Sequence, residues 1–172
     1  RSGFTTFNRS ADEYGLPLIL GGGALNLYEI TNTYRKMMLR AQNKLDEKFP
    51  FSSGACRITM DVLTEGNRPE EEAIWQLYAQ NQKIAWKTGT SDGFKDAWSV
   101  GVTKKYVVGV WVGNADGTGR PEIRSNIVAS PLMFEIFDIL EQSSWIEKPF
   151  HALKRCRVCK HSHYSLFSFC SE

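Results

Sequence analysis

The run Tyr106-Val107-Val108-Gly109-Val110-Trp111-Val112-Gly113 constrains this chain more than any other stretch. Its β-branched and aromatic residues favour extended backbone. Its apolar residues are nearly continuous, as in a strand covered on both faces. Upstream, Ala97-Trp98-Ser99-Val100-Gly101-Val102 alternates and is equally rich in strand formers. Lys104-Lys105 stands between the two runs as a two-residue turn, although it lacks the usual glycine. Ile84-Ala85-Trp86 opens a third apolar run. Together they predict an antiparallel meander of Ile84–Thr90, Ala97–Thr103 and Tyr106–Val112, with the first strand on the outside.

Helical periodicity lies on either side of the meander, which makes the expected class α+β. Asn26 can cap a helix with Glu29 three residues on, as in a capping box. Leu27, Ile30, Tyr34 and Met37/Met38 recur on one face of that helix, and Arg35, Lys36 and Arg40 suit its later turns. Ser52 or Ser53 can cap a second helix through Ile58, Met60, Val62 and Leu63 that ends near Gly66. A third runs from Ile127 or Ser130 to Leu140, with Ser130-Pro131 as cap and first helical position. Its residues are apolar round most of the circumference, which predicts a largely buried helix. Residues 1–15 read as a loop or a helix end, 41–51 as a loop, and Ala73–Tyr78 as a short helix or a loop. Gly21-Gly22-Gly23 lacks both phosphate-loop spacings and reads as a tight connection.

The chemistry-bearing stretch is Trp86-Lys87-Thr88-Gly89-Thr90-Ser91-Asp92-Gly93. A cation follows directly on a buried approach, then two hydroxyls flank a glycine. Lys87 supplies charge, Thr88 and Thr90 supply oriented donors, and Gly89 lets a ligand lie close to the backbone. The plainer alternative is an edge strand blunted by lysine and ended by a turn. Asp116, in the turn-rich Asn114–Pro121, is a single carboxylate and too few for a metal.

A chain of 172 residues holds one domain, or one domain and the start of another. The 21 basic and 19 acidic residues leave a net charge of +2, no electrostatic reason to propose nucleic acid as partner. No run approaches the ~20 apolar residues of a membrane helix. The start, Arg1-Ser2-Gly3-Phe4, has neither methionine nor an apolar leader, which suggests a fragment or a processed piece. Composition shifts at 142–172. Gln142–Phe150 reads as a linker, and Cys56, a lone cysteine on the second helix, as a small core residue. Cys156-x-x-Cys159 with His161, His163 and Cys170 is compatible with zinc, with a disulfide in a secreted module, or with unpaired thiols.

Lys87-Thr88-Gly89-Thr90-Ser91 resembles the third motif of the transpeptidase domain of penicillin-binding proteins. Tyr14–Gly23 with Asn26–Tyr34 is similar to the segment after that family's second motif, and Trp86–Trp98 with Val110–Asn114 resembles the bifunctional class A branch. The resemblance implies a partial serine β-lactamase/transpeptidase-like fold, with the last three strands of an antiparallel sheet packed by helices. It implies a D,D-transpeptidase that cross-links peptidoglycan stem peptides and binds β-lactams at the periplasmic or extracytoplasmic face of the membrane. No cofactor and no metal are implied, and the membrane is reached only through an N-terminal anchor missing here. Lys87 would set the local field, Thr88 and Thr90 would bind the substrate carboxylate with Lys87, and the Thr90 N–H would be an oxyanion donor. The chain departs from the family widely: no serine begins S-x-x-K or S-x-N, and the family's glycosyltransferase domain, membrane anchor and first two strands of the sheet have no counterpart in it. The expectation is therefore that residues 1–141 are the C-terminal half of the transpeptidase domain. Residues 142–172 would be a linker and the start of a small C-terminal domain, and the chain alone would be inactive. The location also implies a disulfide from Cys170 to Cys156 or Cys159. Two other readings stand beside this one: a non-catalytic remnant or peptide-binding module, and a zinc-binding interaction module on the tail.

Overall fold

The computed structural model describes residues 4–45, 47–65, 82–147, 153–154 and 156–160. The expected meander is present as a three-stranded antiparallel sheet in the order β1 (Ala85–Thr90), β2 (Asp96–Val102) and β3 (Val107–Gly113). Its register pairs Lys87 with Val100, Gly89 with Trp98, and Trp98 in turn with Trp111. The Lys104-Lys105 turn closes without glycine because Thr103 supplies the missing bonds. Its N–H donates to the Tyr106 carbonyl at 2.8 Å, and its hydroxyl accepts from the Tyr106 N–H at 3.0 Å.

Helices cover both faces. On one lie α2 (Leu27–Ala41) and α3 (Ser53–Thr64), where Met38, Ala41, Cys56 and Met60 close over Ala85 and Val102. On the other lies α4 (Ser130–Ile139), which sets Met133, Phe134 and Phe137 against Ile84 and Trp86. Fully burying one such side chain contributes about 1.5–3 kcal/mol. Gly109 is what lets α2 come this close: a Cβ there would stand 2.0 Å from the Thr31 hydroxyl.

Three local expectations need correction. The single helical turn α1 (Ala11–Tyr14) carries the capping box, between Ser10 and Glu13. At α2 only half of one forms: the Asn26 side chain accepts from the Glu29 N–H at 2.8 Å, while the Glu29 carboxylate turns to Thr5 and Thr6. Ser130 does not cap α4, because a π-helical turn, Ser125–Ala129, runs straight into it and the Ser130 hydroxyl lies buried beside that of Ser99. The change from π to α falls where Pro131 has no N–H to give. Nor is α4 largely buried: half of its residues are exposed, Leu132, Ile136 and Ile139 among them on its outer side. Ser52, by contrast, caps α3 as expected.

Residues 142–147, expected as a linker, run over α3 with Ile146 in the core. Trp145 Nε1 donates to Asp61 at 2.8 Å, and Asp61 also accepts from the buried Arg57 at 2.9 Å. Arg57 donates further to the Glu147 carbonyl. Ala73–Tyr78 and the residues His161, His163 and Cys170, on which the zinc and disulfide expectations rest, lie outside the described residues.

Candidate active site

Strand β1 is at the open edge of the sheet among the described residues. Its backbone orientation follows from the turn that ends it. The Ser91 N–H donates to the Asp96 carbonyl at 2.9 Å. Bonded and non-bonded pairs alternate along an antiparallel ladder, so Gly89 and Lys87 bond to β2. The N–H and C=O groups of Thr88 and Thr90 therefore point outward, along the free edge.

The side chains alternate in the opposite sense. Ala85 belongs to the α2–α3 face, and Lys87 and Gly89 follow it. Trp86 meets the Phe134 ring on the α4 face at 5.4 Å, so Thr88 and Thr90 lie on that side. The cation and the two hydroxyls do not share a face, as a compact anion pocket would require. Only the Lys87 ammonium, bonded to the outward Thr88 carbonyl, is placed at the edge itself, whereas the Thr90 hydroxyl is directed at Ser125.

Lys87 is exposed, and its Nζ donates to the outward Thr88 carbonyl at 2.6 Å. Among the described residues no carboxylate pairs with it. Gly89 has no internal reason to be glycine: a Cβ there would meet only the Trp98 Cβ, at an ordinary 3.9 Å. Lys87, Thr88 and Gly89 border a cleft of about 390 Å³. Trp98 and Val100 form its floor, Ile30 and Tyr34 of α2 one wall, and Gly21, Gly23, Ala24 and Leu25 its rim. Burial pushes the Tyr34 hydroxyl pKa up, so that wall stays neutral. A larger hollow of about 470 Å³, between α2 and the Lys104–Lys105 turn, contains none of these strand residues.

Thr90 is placed differently. Its hydroxyl lies 2.6 Å from that of Ser125, and it accepts from the Ser125 N–H at 3.2 Å. Ser125 Oγ in turn donates to the Gly89 carbonyl at 2.6 Å. No local pattern marks Ser125 in the sequence, since it lies 35 residues beyond Thr90 at the start of the π-turn. The turn after β1 is held from the same side. Arg120 N–H donates to the Phe94 carbonyl at 3.1 Å, and the Arg124 guanidinium lies 5.3 Å over the Phe94 ring.

A helix-covered antiparallel sheet with Lys-Thr-Gly-Thr on its edge strand is a partial α+β fold of the transpeptidase kind. The chain is penicillin-binding-protein-like. It is 34% identical over 134 residues, 73% of its length, to penicillin-binding protein 1C of Escherichia coli (strain K12). It is 33% identical over 86 residues, 50% of its length, to penicillin-binding protein 1A of Clostridium botulinum. The matched stretches span 17% and 10% of those relatives. No protein-family model matches the chain.

Proposed function

We propose that this chain is the carboxylate-binding half of a D,D-transpeptidase that cross-links peptidoglycan stem peptides and is acylated by β-lactams. The observation that carries this is the free edge of β1. There the Lys87 ammonium, which no carboxylate pairs among the described residues, Thr88 with its outward N–H, and a glycine that no described neighbour requires border one cleft, whose Asp96 carboxylate is engaged by Trp111. An extended peptide can add alongside such an edge. Its terminal carboxylate takes the Lys87 charge and the Thr88 and Thr90 hydroxyls. Gly89 allows the close approach, and the Thr90 N–H faces the position of a developing oxyanion. Loss of one such donor costs ~10²–10³ in rate in other enzymes. The nucleophile is a separate requirement, and no serine among the 172 residues stands in S-x-x-K. Action at the extracytoplasmic face of the membrane belongs to the same reading. So do a linker and the start of a small further domain over residues 142–172, with the first part of that linker held on α3 through Trp145 and Ile146.

The test is equilibrium binding of benzylpenicillin and of its uncharged methyl ester to the chain. The acid should bind at least about tenfold tighter, as expected for one charge-assisted contact. Lys87→Ala should abolish that preference. Equal binding of acid and ester by the unsubstituted chain would remove the reading.

A further inference from the structure

We propose that Ser125 is a positioning residue of the carboxylate site, acting through Thr90 and the Gly89 carbonyl. The argument is a count of protons. Ser125 has one hydroxyl proton, and it goes to the Gly89 carbonyl. The 2.6 Å contact between the two hydroxyls must then use the proton of Thr90. Thr90 also accepts from the Ser125 N–H. Its hydroxyl is thus fully oriented toward Ser125 before any ligand arrives, and Ser125 itself is only 3% exposed.

A carboxylate at the edge changes the direction of this chain of hydroxyls. Thr90 turns its proton to the anion, and Ser125 turns its own from the Gly89 carbonyl to the oxygen that Thr90 has exposed. The Gly89 carbonyl keeps its ladder bond to β2. One neutral hydrogen bond is exchanged for one to a charged acceptor, which is the stronger kind. Ser125 therefore does two things. It holds the two residues on either side of the Gly89–Thr90 peptide, and it supplies the donor that replaces the one Thr90 gives away.

The inference rests on the carboxylate reading of β1, and the experiment separates the two. The ratio of benzylpenicillin to methyl-ester affinity is measured for the unsubstituted chain, Lys87→Ala, Ser125→Ala, Ser125→Thr, Thr90→Val and the Ser125→Ala/Thr90→Val pair, with thermal midpoints alongside. Ser125→Ala should lower the acid preference by about three- to tenfold, the equivalent of one hydrogen bond, and Ser125→Thr should restore most of it. Since Ser125 acts through Thr90, the pair should lose no more than Thr90→Val alone. A preference that depends on Lys87 but is unchanged in Ser125→Ala overturns the positioning role and leaves the site intact. Additive losses in the pair, or no recovery in Ser125→Thr at a normal midpoint, overturn it as well. Absence of any preference in the unsubstituted chain overturns both.

Discussion

Arg57 and Lys87 show how differently a cation can be used on this scaffold. Arg57 is 1% exposed, paired with Asp61 and donating to the Glu147 carbonyl. Removing one member of a buried pair leaves the other uncompensated. Asp61 keeps some solvent, so we expect Arg57→Ala to cost about 2–3 kcal/mol rather than the full range for sealed pairs. Urea denaturation measures this, and a loss below about 0.5 kcal/mol would show that the pair is solvated. Lys87 is exposed and supports nothing in the core. Lys87→Ala should therefore stay within about 0.5 kcal/mol of the parent stability. On the proposed function, the same change in a full-length enzyme containing this chain should depress penicillin acylation strongly. A normal acylation rate at an unchanged midpoint would dismiss Lys87 as a site residue.

At the scale of elements, the N-terminal segment is strapped to α2 by one carboxylate. Glu29 accepts from the Thr5 hydroxyl and from the Thr5 N–H at 2.8 Å, and from the Thr6 hydroxyl at 2.8 Å. These bonds, the Thr5 hydroxyl first, hold the Glu29 pKa below its ordinary value. A depressed carboxyl contributes its stabilisation above the ordinary value, about 4.3, and loses it as pH falls through the folded value. The Thr5 amide resonance should titrate with a midpoint below about 4.3, and Glu29→Gln should abolish the titration. A midpoint at or above that value would mean the strap is absent in solution. This strap also shows where sequence reasoning stops. Strand alternation, the Ser52 cap and the edge position of Lys87 depend on near neighbours, and periodicity reveals them. Glu29 had a local partner at Asn26 and took a tertiary one more than 20 residues away. Ser125 reaches β1 only because a π-turn aims it there. The Lys-Thr-Gly-Thr string and the alternation of its side chains were readable, but that the Thr90 face meets Ser125 emerged only with the tertiary packing. Burial of Arg57 likewise depends on where residues 145–147 come to rest.

At the scale of the whole molecule, two apolar surfaces adjoin. Strand β3 has an unpaired edge among the described residues, with Trp111 40% exposed. Beside it, Val110 and the outer side of α4 form a hollow with Leu132, Ile136 and Ile139. Ile139 is 84% exposed. An open strand edge next to such a surface favours association. We expect the isolated chain to elute as oligomers, and Ile136→Glu/Ile139→Glu to shift it toward monomer. A monodisperse monomer before substitution would contradict this. The chain should also form no covalent adduct with a fluorescent penicillin on denaturing electrophoresis, since an acyl-enzyme needs a nucleophile with a base in reach. A stoichiometric band would mean that one of its serines is activated in a way the S-x-x-K pattern does not describe.

The wide turn at Ser125–Ala129 has a bearing on how this fold tolerates insertions and deletions. Removing one residue from it would leave an ordinary α-helix, a more regular structure with better-aligned backbone bonds. Met133, Phe134 and Phe137 would still lock the far end against the sheet. The near end would then swing by about 100° about the helix axis, the angle of one residue at 3.6 per turn, and carry Ser125 away from the Gly89 carbonyl. The shortened chain would gain helical regularity and lose the contact between helix and edge strand, so length in this turn is under a constraint that helix propensity alone would never reveal.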